Sequence, residues 1–172
     1  MILNKMSKIK NRGISCQILF KYPSKTLWNI ISAPNHLNLF HPFCKKNTAL
    51  SWNGMPYKDE LEYLNGLKYI RNFVKWVPFK GYELNIGKKE GKQSYVIWKI
   101  KEIDDSNCSL SITVYPHIYS NWPNIISFIP YKLIIKPRLY SYLLSVISGL
   151  KYFIENNEKV PKNHFGKHKW FS

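Results

Sequence analysis

The order of segments that begins at Ile14 constrains the fold of this chain more than any other feature. A strand-like segment, Ile14–Phe20, is followed by two short abutting helical patterns over residues 23–32 and 33–42. A long series of strands comes next, and an amphipathic helix comes last. This order is used by proteins in which a curved sheet wraps around one helix. Because such a wrap leaves a hollow between sheet and helix, the sequence predicts a pocket for an apolar ligand, without identifying that ligand.

The strand series is indicated by a hydrophobic period of two, interrupted by turn signals. The predicted strands after the two short helices are 44–52, 59–64, 67–77, 82–86, 95–103 and 108–115. Asn53-Gly54 and Asn65-Gly66 are strong turn signals between them. Pro137 fits the first turn of the last helix. The apolar face of that helix is predicted to consist of Leu139, Leu143, Leu144, Ile147, Leu150 and Ile154.

The hairpin around Asn65-Gly66 places polar residues in register if the turn has two residues. Glu62 then lies opposite Tyr69, and Glu60 lies opposite Arg71. Two assignments stay open. Either the alternate apolar set faces the hollow and Glu60–Arg71 is a solvated ion pair, or Glu62, Tyr69 and Arg71 face inward as polar anchors in an apolar cavity.

Length and composition are those of one globular domain. The chain has 172 residues, of which 45% are hydrophobic and 16% aromatic, enough to bury a substantial core. We divide it into a basic N-terminal extension (1–13), a single domain (14–157) and a C-terminal tail packed on the domain (158–172). The three cysteines are scattered singly, which argues against a disulfide framework and fits a reducing, cytoplasmic compartment. The first 13 residues lack the apolar core of a signal peptide, and no run of 18 apolar residues occurs.

The net charge of +16 raises the question of an anionic partner. Only Arg12, Arg71 and Arg138 are arginine, and the remaining positive charge is lysine spread over both halves. Since base and phosphate recognition favours the arginine fork, this distribution argues against nucleic acid and for a solvated lysine surface. Anionic lipid headgroups stay a candidate partner, because lysine contacts to phosphate need no fixed geometry.

The segment order resembles the START-like helix-grip superfamily (SRPBCC), which contains lipid-transfer domains, birch-pollen-allergen relatives and polyketide cyclase-like proteins. The resemblance extends over residues 14–157 and is carried by PSKTLWNIISAPNHLNLFHPF, DELEYLNGLKYIRNF and LYSYLLSVISGLKYFIE. It implies an α+β fold, with a curved antiparallel sheet of six or seven strands around a long C-terminal helix. It also implies that a hydrophobic or amphipathic small molecule, such as a lipid, an isoprenoid or an aromatic compound, binds between sheet and helix. No cofactor or metal is implied, because the chain has no glycine-rich phosphate loop and no set of metal ligands.

Aromatic, polar and helix residues that could share one cavity are the candidate ligand-binding residues. They are Trp28, His41, Trp52, Glu62, Tyr69, Arg71, Trp98, Tyr115, Leu143 and Ile147. For most of the aromatics, ordinary core packing is an equally valid interpretation.

Two alternative functions are compatible with the sequence. One is a cyclase or hydratase that uses His41 with Glu62 as acid and base. The other is peripheral membrane docking through residues 122–135, an apolar segment that begins at Trp122, ends at Ile135 and is flanked by lysines. The same segment could instead be a lid over the pocket or additional core.

Overall fold

The computed structural model describes residues 13–117 and 131–172. Strand β1 (Ile14–Phe20) is followed by helices α1 (Ser24–Ile31) and α2 (Leu37–Phe40). Six strands come next: β2 (Cys44–Ser51), β3 (Lys58–Tyr63), β4 (Lys68–Val77), β5 (Gly81–Gly87), β6 (Gln93–Asp104) and β7 (Asn107–Tyr115). A π-helical turn (Tyr131–Ile135) leads directly into the long helix α3 (Lys136–Asn156).

The seven strands form one antiparallel sheet in the order β1-β7-β6-β5-β4-β3-β2. Register shifts interrupt β2, β4 and β6, and bulges of this kind bend a sheet. Helix α3 packs on the concave side, with Leu139, Leu143, Ile147 and Leu150 buried. The predicted α+β helix-grip architecture is therefore confirmed.

Alternation along the strands decides which residues reach the core. On β7, Leu110, Ile112 and Val114 are buried, while Ser111 and Thr113 lie on the outer face. Helix α3 is apolar along the stripe that faces this sheet, but Leu144, which the sequence placed on that stripe, is 40% exposed. Gly149 fits where α3 crosses α2, because a Cβ atom there would lie 2.0 Å from the Phe40 carbonyl oxygen.

The hairpin between β3 and β4 has a different register from the predicted one. Tyr63 N–H donates to the Leu67 carbonyl, so the loop has three residues, Leu64 to Gly66, and Gly66 has a φ of +83°. One extra loop residue shifts every pair and changes the face on which each side chain lies. Arg71 is therefore opposite Asp59 and not opposite Glu60.

The observed register shows that neither of the two assignments left open by the sequence is correct in full. Arg71 points inward with Leu61 and is 3% exposed, so the solvated interpretation of Arg71 is wrong. Glu62 lies on the outer face, where it accepts a hydrogen bond from Lys45 Nζ at 2.8 Å, so it is not an inward anchor either.

Residues 158–172 run back along the domain and contact several elements. Val160 N–H donates to the Leu39 carbonyl and Asn163 N–H to the Pro42 carbonyl, each at 3.0 Å. The Phe171 ring stacks on the Tyr63 ring, with centroids 4.3 Å apart.

The apolar segment 122–135 lies outside the described residues except for Tyr131–Ile135. In that turn Tyr131 and Ile135 are buried, whereas Leu133 and Ile134 are exposed. Within residues 13–117 and 131–172, no helix is long and apolar enough to cross a membrane.

Candidate functional site

A cavity of about 90 Å³ lies between the inner face of the sheet and α3. Its walls are mainly aliphatic. They are formed by Leu61, Leu84, Val96, Ile112 and Val114 from the sheet and by Leu139, Leu143 and Val146 from α3. Polar side chains reach it at only a few points, and the most prominent of these is Arg71.

Arg71 is fixed by a two-point contact with Asp59 across the β3–β4 pair. Its Nε atom donates to Asp59 Oδ1 at 2.8 Å, and Nη2 donates to Oδ2 at 2.5 Å. Burial on its own would raise the pKa of Asp59, but the charge and hydrogen bonds of Arg71 lower it. The two groups are therefore both ionised and neutralise each other.

His36 completes this cluster, although no sequence pattern had indicated it. Arg71 Nη2 also donates to His36 Nε2, at 3.2 Å. The other ring nitrogen, Nδ1, carries the proton and donates to the Ala33 carbonyl at 2.6 Å. Burial, followed by the nearby charge of Arg71, lowers the pKa of His36 to about 3, so the ring is neutral.

An asparagine pair holds α2 against the edge strand β2 and so positions the histidines at both ends of α2. The Asn38 side chain accepts from Asn47 N–H at 2.7 Å and donates to the Asn47 carbonyl at 2.8 Å. The buried Asn47 side chain in turn donates to the Glu60 carbonyl at 3.0 Å. These bonds give hydrogen-bond partners to backbone groups on the outer edge of β2. They also fix the positions from which the His36 and His41 side chains enter the core.

His41 lines the cavity as a neutral hydrogen-bond donor. Phe43 N–H donates to its Nδ1 at 3.2 Å, so the proton lies on Nε2, which donates to the Tyr142 hydroxyl at 2.9 Å. The Tyr142 oxygen is also 3.1 Å from the Tyr63 oxygen. Burial, followed by the charge of Arg71, lowers the pKa of His41 to about 3, and burial raises the pKa of Tyr142. The polar side of the cavity therefore carries no uncompensated charge.

Four of the ten predicted ligand-binding residues line this cavity: His41, Arg71, Trp98 and Leu143. Their role in binding stays a prediction. The structure adds Tyr142 and Phe171 to the lining. Tyr142 lies one position before Leu143 on the helix and could have been found from its place on the wheel, whereas nothing in the sequence indicated Phe171.

The other six predicted residues lie elsewhere. Trp28 packs edge-on against Trp76 at 5.1 Å, and Trp52 donates from its ring nitrogen to the Ser32 carbonyl at 3.2 Å, so both belong to packed core. Ile147 is fully buried away from the cavity. Tyr69 is half-buried against Tyr63, Tyr115 lies beside Tyr95, and Glu62 is on the outer face.

The structure does not bring together the residues proposed for acid–base chemistry. His41 is buried and both of its ring nitrogens have partners, while Glu62 pairs with Lys45 on the opposite face of the sheet. Cys44 is fully buried, and burial raises its pKa to about 11, so its thiol stays protonated. In the part of the chain that the structure describes, no cluster of three metal-ligating side chains occurs.

Solved structures that are similar to this chain identify its fold. DynU16, a protein of the dynemicin biosynthetic locus, superposes with a TM-score of 0.65 at 10% identity over 86% of this chain and 49% of its own. BexL, a di-domain ARO/CYC from the BE-7585A biosynthetic pathway, gives 0.62 at 9% identity over 83% of this chain and 47% of its own. A START superfamily protein from Mycobacterium smegmatis gives 0.57 at 12% identity over 85% of this chain and 96% of its own.

The chain thus spans about half the length of DynU16 and BexL. No family model matches the sequence, and no curated protein is similar to it. At these identities the comparisons bear on the fold alone. Together with the seven-stranded sheet and the gripped helix, they show that the chain has the START-like helix-grip fold.

Proposed function

We propose that this protein binds a small hydrophobic or amphipathic molecule in the cavity between the sheet and α3. One observation carries the proposal: the buried Arg71 side chain borders a cavity whose other walls are mostly aliphatic. A few oriented polar groups in an apolar enclosure are typical of small-molecule sites. Burial of the ligand's apolar surface would supply most of the affinity, at about 25 cal/mol per Å².

The charge balance of the site favours an uncharged polar group on the ligand. Asp59 already neutralises Arg71, and His41 is neutral. A carboxylate entering the cavity would lose its hydration without meeting an unpaired cation. A ketone, ester or hydroxyl oxygen would accept a hydrogen bond from Arg71 at a much smaller desolvation cost.

The size of the cavity further narrows the range of ligands that could bind. Drug-sized ligands occupy pockets of roughly 300–1,000 Å³, and a cavity of about 150 Å³ can hold benzene. At about 90 Å³, the cavity of this protein is smaller than either. A small aromatic compound needs only modest movement of the lining side chains, whereas a lipid or isoprenoid needs one wall to move.

Three matched probes test the proposal: ethylbenzene, acetophenone and benzoate, which differ mainly in the polar group beside the ring. Methyl NMR spectra of the Leu, Ile and Val side chains would report binding at the cavity lining. We expect acetophenone to bind most tightly and benzoate least. Absence of shift changes with all three would contradict small-molecule binding in this cavity. Tightest binding of benzoate would contradict only the preference for neutral ligands.

A second candidate function is association with an anionic membrane surface. Leu133 and Ile134 are 68% and 44% exposed and lie beside Lys136, an arrangement suited to insertion at a headgroup layer. Flotation with vesicles containing phosphatidylserine, at low and high salt, tests it. We expect Leu133→Ser to weaken flotation, and Leu19→Ser, at an equally exposed leucine on β1, to leave it unchanged. No flotation at either salt concentration would exclude this function.

A further inference from the structure

Phe171 is the only residue of segment 158–172 among those lining the cavity in the described structure. Its ring stacks on Tyr63 at 4.3 Å and packs against Tyr142 at 4.6 Å. His168 also stacks on the ring, with centroids 5.2 Å apart and planes 14° from parallel. The ring therefore fills the space between the cavity and the outer layer of the segment, as a plug would.

The walls of the cavity that the sheet and α3 form cannot move as cheaply as this segment. Strands β3 to β7 belong to one continuous hydrogen-bonded ladder, and α3 is a helix of 21 residues. Displacing either would break many backbone hydrogen bonds at once. Irregular segments held by fewer contacts open with lower free energies than core strands and helices.

Few hydrogen bonds hold the segment in place. Val160 and Asn163 each donate a backbone bond to the chain around α2, and Lys162 Nζ donates to the Cys44 carbonyl at the start of β2. Near Phe171, two further hydrogen bonds connect the segment to the domain. Asn65 Nδ2 donates to the Trp170 carbonyl at 2.9 Å, and His168 Nε2 donates to the Arg138 carbonyl at 3.1 Å. The part of the segment that carries the plug is thus attached mainly by side-chain contacts.

We propose that segment 158–172 is the gate of the cavity and that Phe171 is its movable plug. A ligand enters when Phe171 leaves its place between Tyr63 and Tyr142, and the space vacated by the ring enlarges the cavity. This inference rests on the proposed function and adds to it the route of entry and the element that limits its rate.

Stopped-flow fluorescence with 1-aminoanthracene, an uncharged aromatic fluorophore whose emission rises in apolar surroundings, tests the gate. In the unmodified protein, we expect the observed rate to reach a plateau as the probe concentration rises, because opening precedes binding. Phe171→Ala should raise that plateau about tenfold or more. The matched control is Phe165→Ala, since Phe165 is on the same segment but is exposed and lies outside the cavity. Phe165→Ala should bind the probe at the same rate as the unmodified protein.

The outcomes separate the gate from the proposed function. Binding at equal rates in all three proteins overturns the gate and leaves ligand binding intact. A failure of the probe to bind either the unmodified protein or Phe171→Ala overturns both. Should Phe171→Ala not fold, Phe171→Leu keeps an apolar but smaller side chain and is expected to bind faster than the unmodified protein.

Hydrogen exchange of the unmodified protein supplies a test that needs no variant. We expect the amides of Val160 and Asn163 to exchange faster than the buried amides of α3, because the segment opens without the helix. Exchange of the segment at the same rate as α3 would show that it opens only with the whole domain, and would overturn the gate.

Discussion

Arg71 and Asp59 face each other across the β3–β4 pair as a buried, two-point ion pair. The side chains are 3% and 0% exposed, and Arg71 Nε lies 2.8 Å from Asp59 Oδ1. Removing one partner from such a pair leaves an uncompensated group in the core, whereas replacing both with apolar residues of similar volume is often tolerated. The pair is therefore at once the polar wall of the cavity and a constraint on the fold.

We expect Arg71→Leu to lower the free energy of unfolding by about 3–5 kcal/mol, because it leaves the Asp59 carboxyl buried without its partner. The double variant Asp59→Leu with Arg71→Leu should recover most of that loss. Urea unfolding followed by tryptophan fluorescence measures both. A double variant no more stable than Arg71→Leu alone would contradict the pairing.

The same measurement distinguishes the observed hairpin register from the predicted one. Glu60 is partly exposed and pairs with Lys68, so Glu60→Gln should change stability by less than about 1 kcal/mol. Asp59→Asn, the matched change one residue earlier, should lower the free energy of unfolding by a several-fold larger amount. Equal effects of the two substitutions would argue against the Asp59–Arg71 pairing.

Acidification should destabilise the protein through His36 and His41. Both have a pKa of about 3 in the folded chain, compared with about 6.5 when unfolded. As the pH falls below about 6.5, the unfolded chain takes up protons that the folded chain does not, so stability is lost. Each histidine should contribute a slope of about 1.4 kcal/mol per pH unit.

Unfolding free energies between pH 7 and pH 5 give this slope, above the range where carboxylates titrate. His41→Gln should lower the slope by about 1.4 kcal/mol per pH unit, because the titration of that ring is removed. An undiminished slope in His41→Gln would show that groups other than His41 cause it.

Gly149→Ala should destabilise the protein although alanine is the better helix former. The added Cβ atom would lie 2.0 Å from the Phe40 carbonyl oxygen, so α3 would have to move away from α2. We expect a loss of about 1–3 kcal/mol from overpacking, compared with a gain of about 1 kcal/mol from helix propensity alone. Thermal unfolding decides the sign, with Ser148→Ala as the neighbouring control. A stabilised Gly149→Ala would contradict the close helix contact.

The three cysteines should resist alkylation in the folded protein. Cys16, Cys44 and Cys108 are buried, and burial raises the pKa of each thiol, to about 11 for Cys44. Mass spectrometry after treatment with iodoacetamide at pH 8 should show no modification until urea unfolds the chain. Rapid native labelling of Cys44 would contradict its assignment to the core.

The register of the β3–β4 hairpin is a feature that the sequence did not predict correctly. Asn65-Gly66 marked the turn correctly, but the local sequence does not distinguish a two-residue loop from a three-residue one. Tertiary packing decides, since only the observed register puts Leu61 and Tyr63 on the same buried face as Arg71 and places Asp59 beside it. A single residue of loop length therefore changed the predicted partner of Arg71 and moved Glu62 to the outer face.

The candidate site was predictable only in part, for a similar reason. Residues on α3 and the inner face of the sheet could be predicted from periodicity, and Leu143 and Trp98 line the cavity. His36 and Phe171 could not, because each reaches the site from an irregular segment whose path depends on distant contacts. The segment that carries Phe171 is placed by bonds to Leu39, Pro42 and Asn65, each more than 100 residues away from its partner.

The sequence by itself determined the order of the strands and helices, the change of hydrophobic period and the apolar stripe of α3, and with these the helix-grip fold. Such features depend on interactions between residues close in the chain, which a local pattern records. Only the tertiary structure decided which polar groups are buried together, how they neutralise one another and how much space remains between them. Those properties depend on register and packing between segments far apart in sequence, and a shift of one residue or one side chain reverses them.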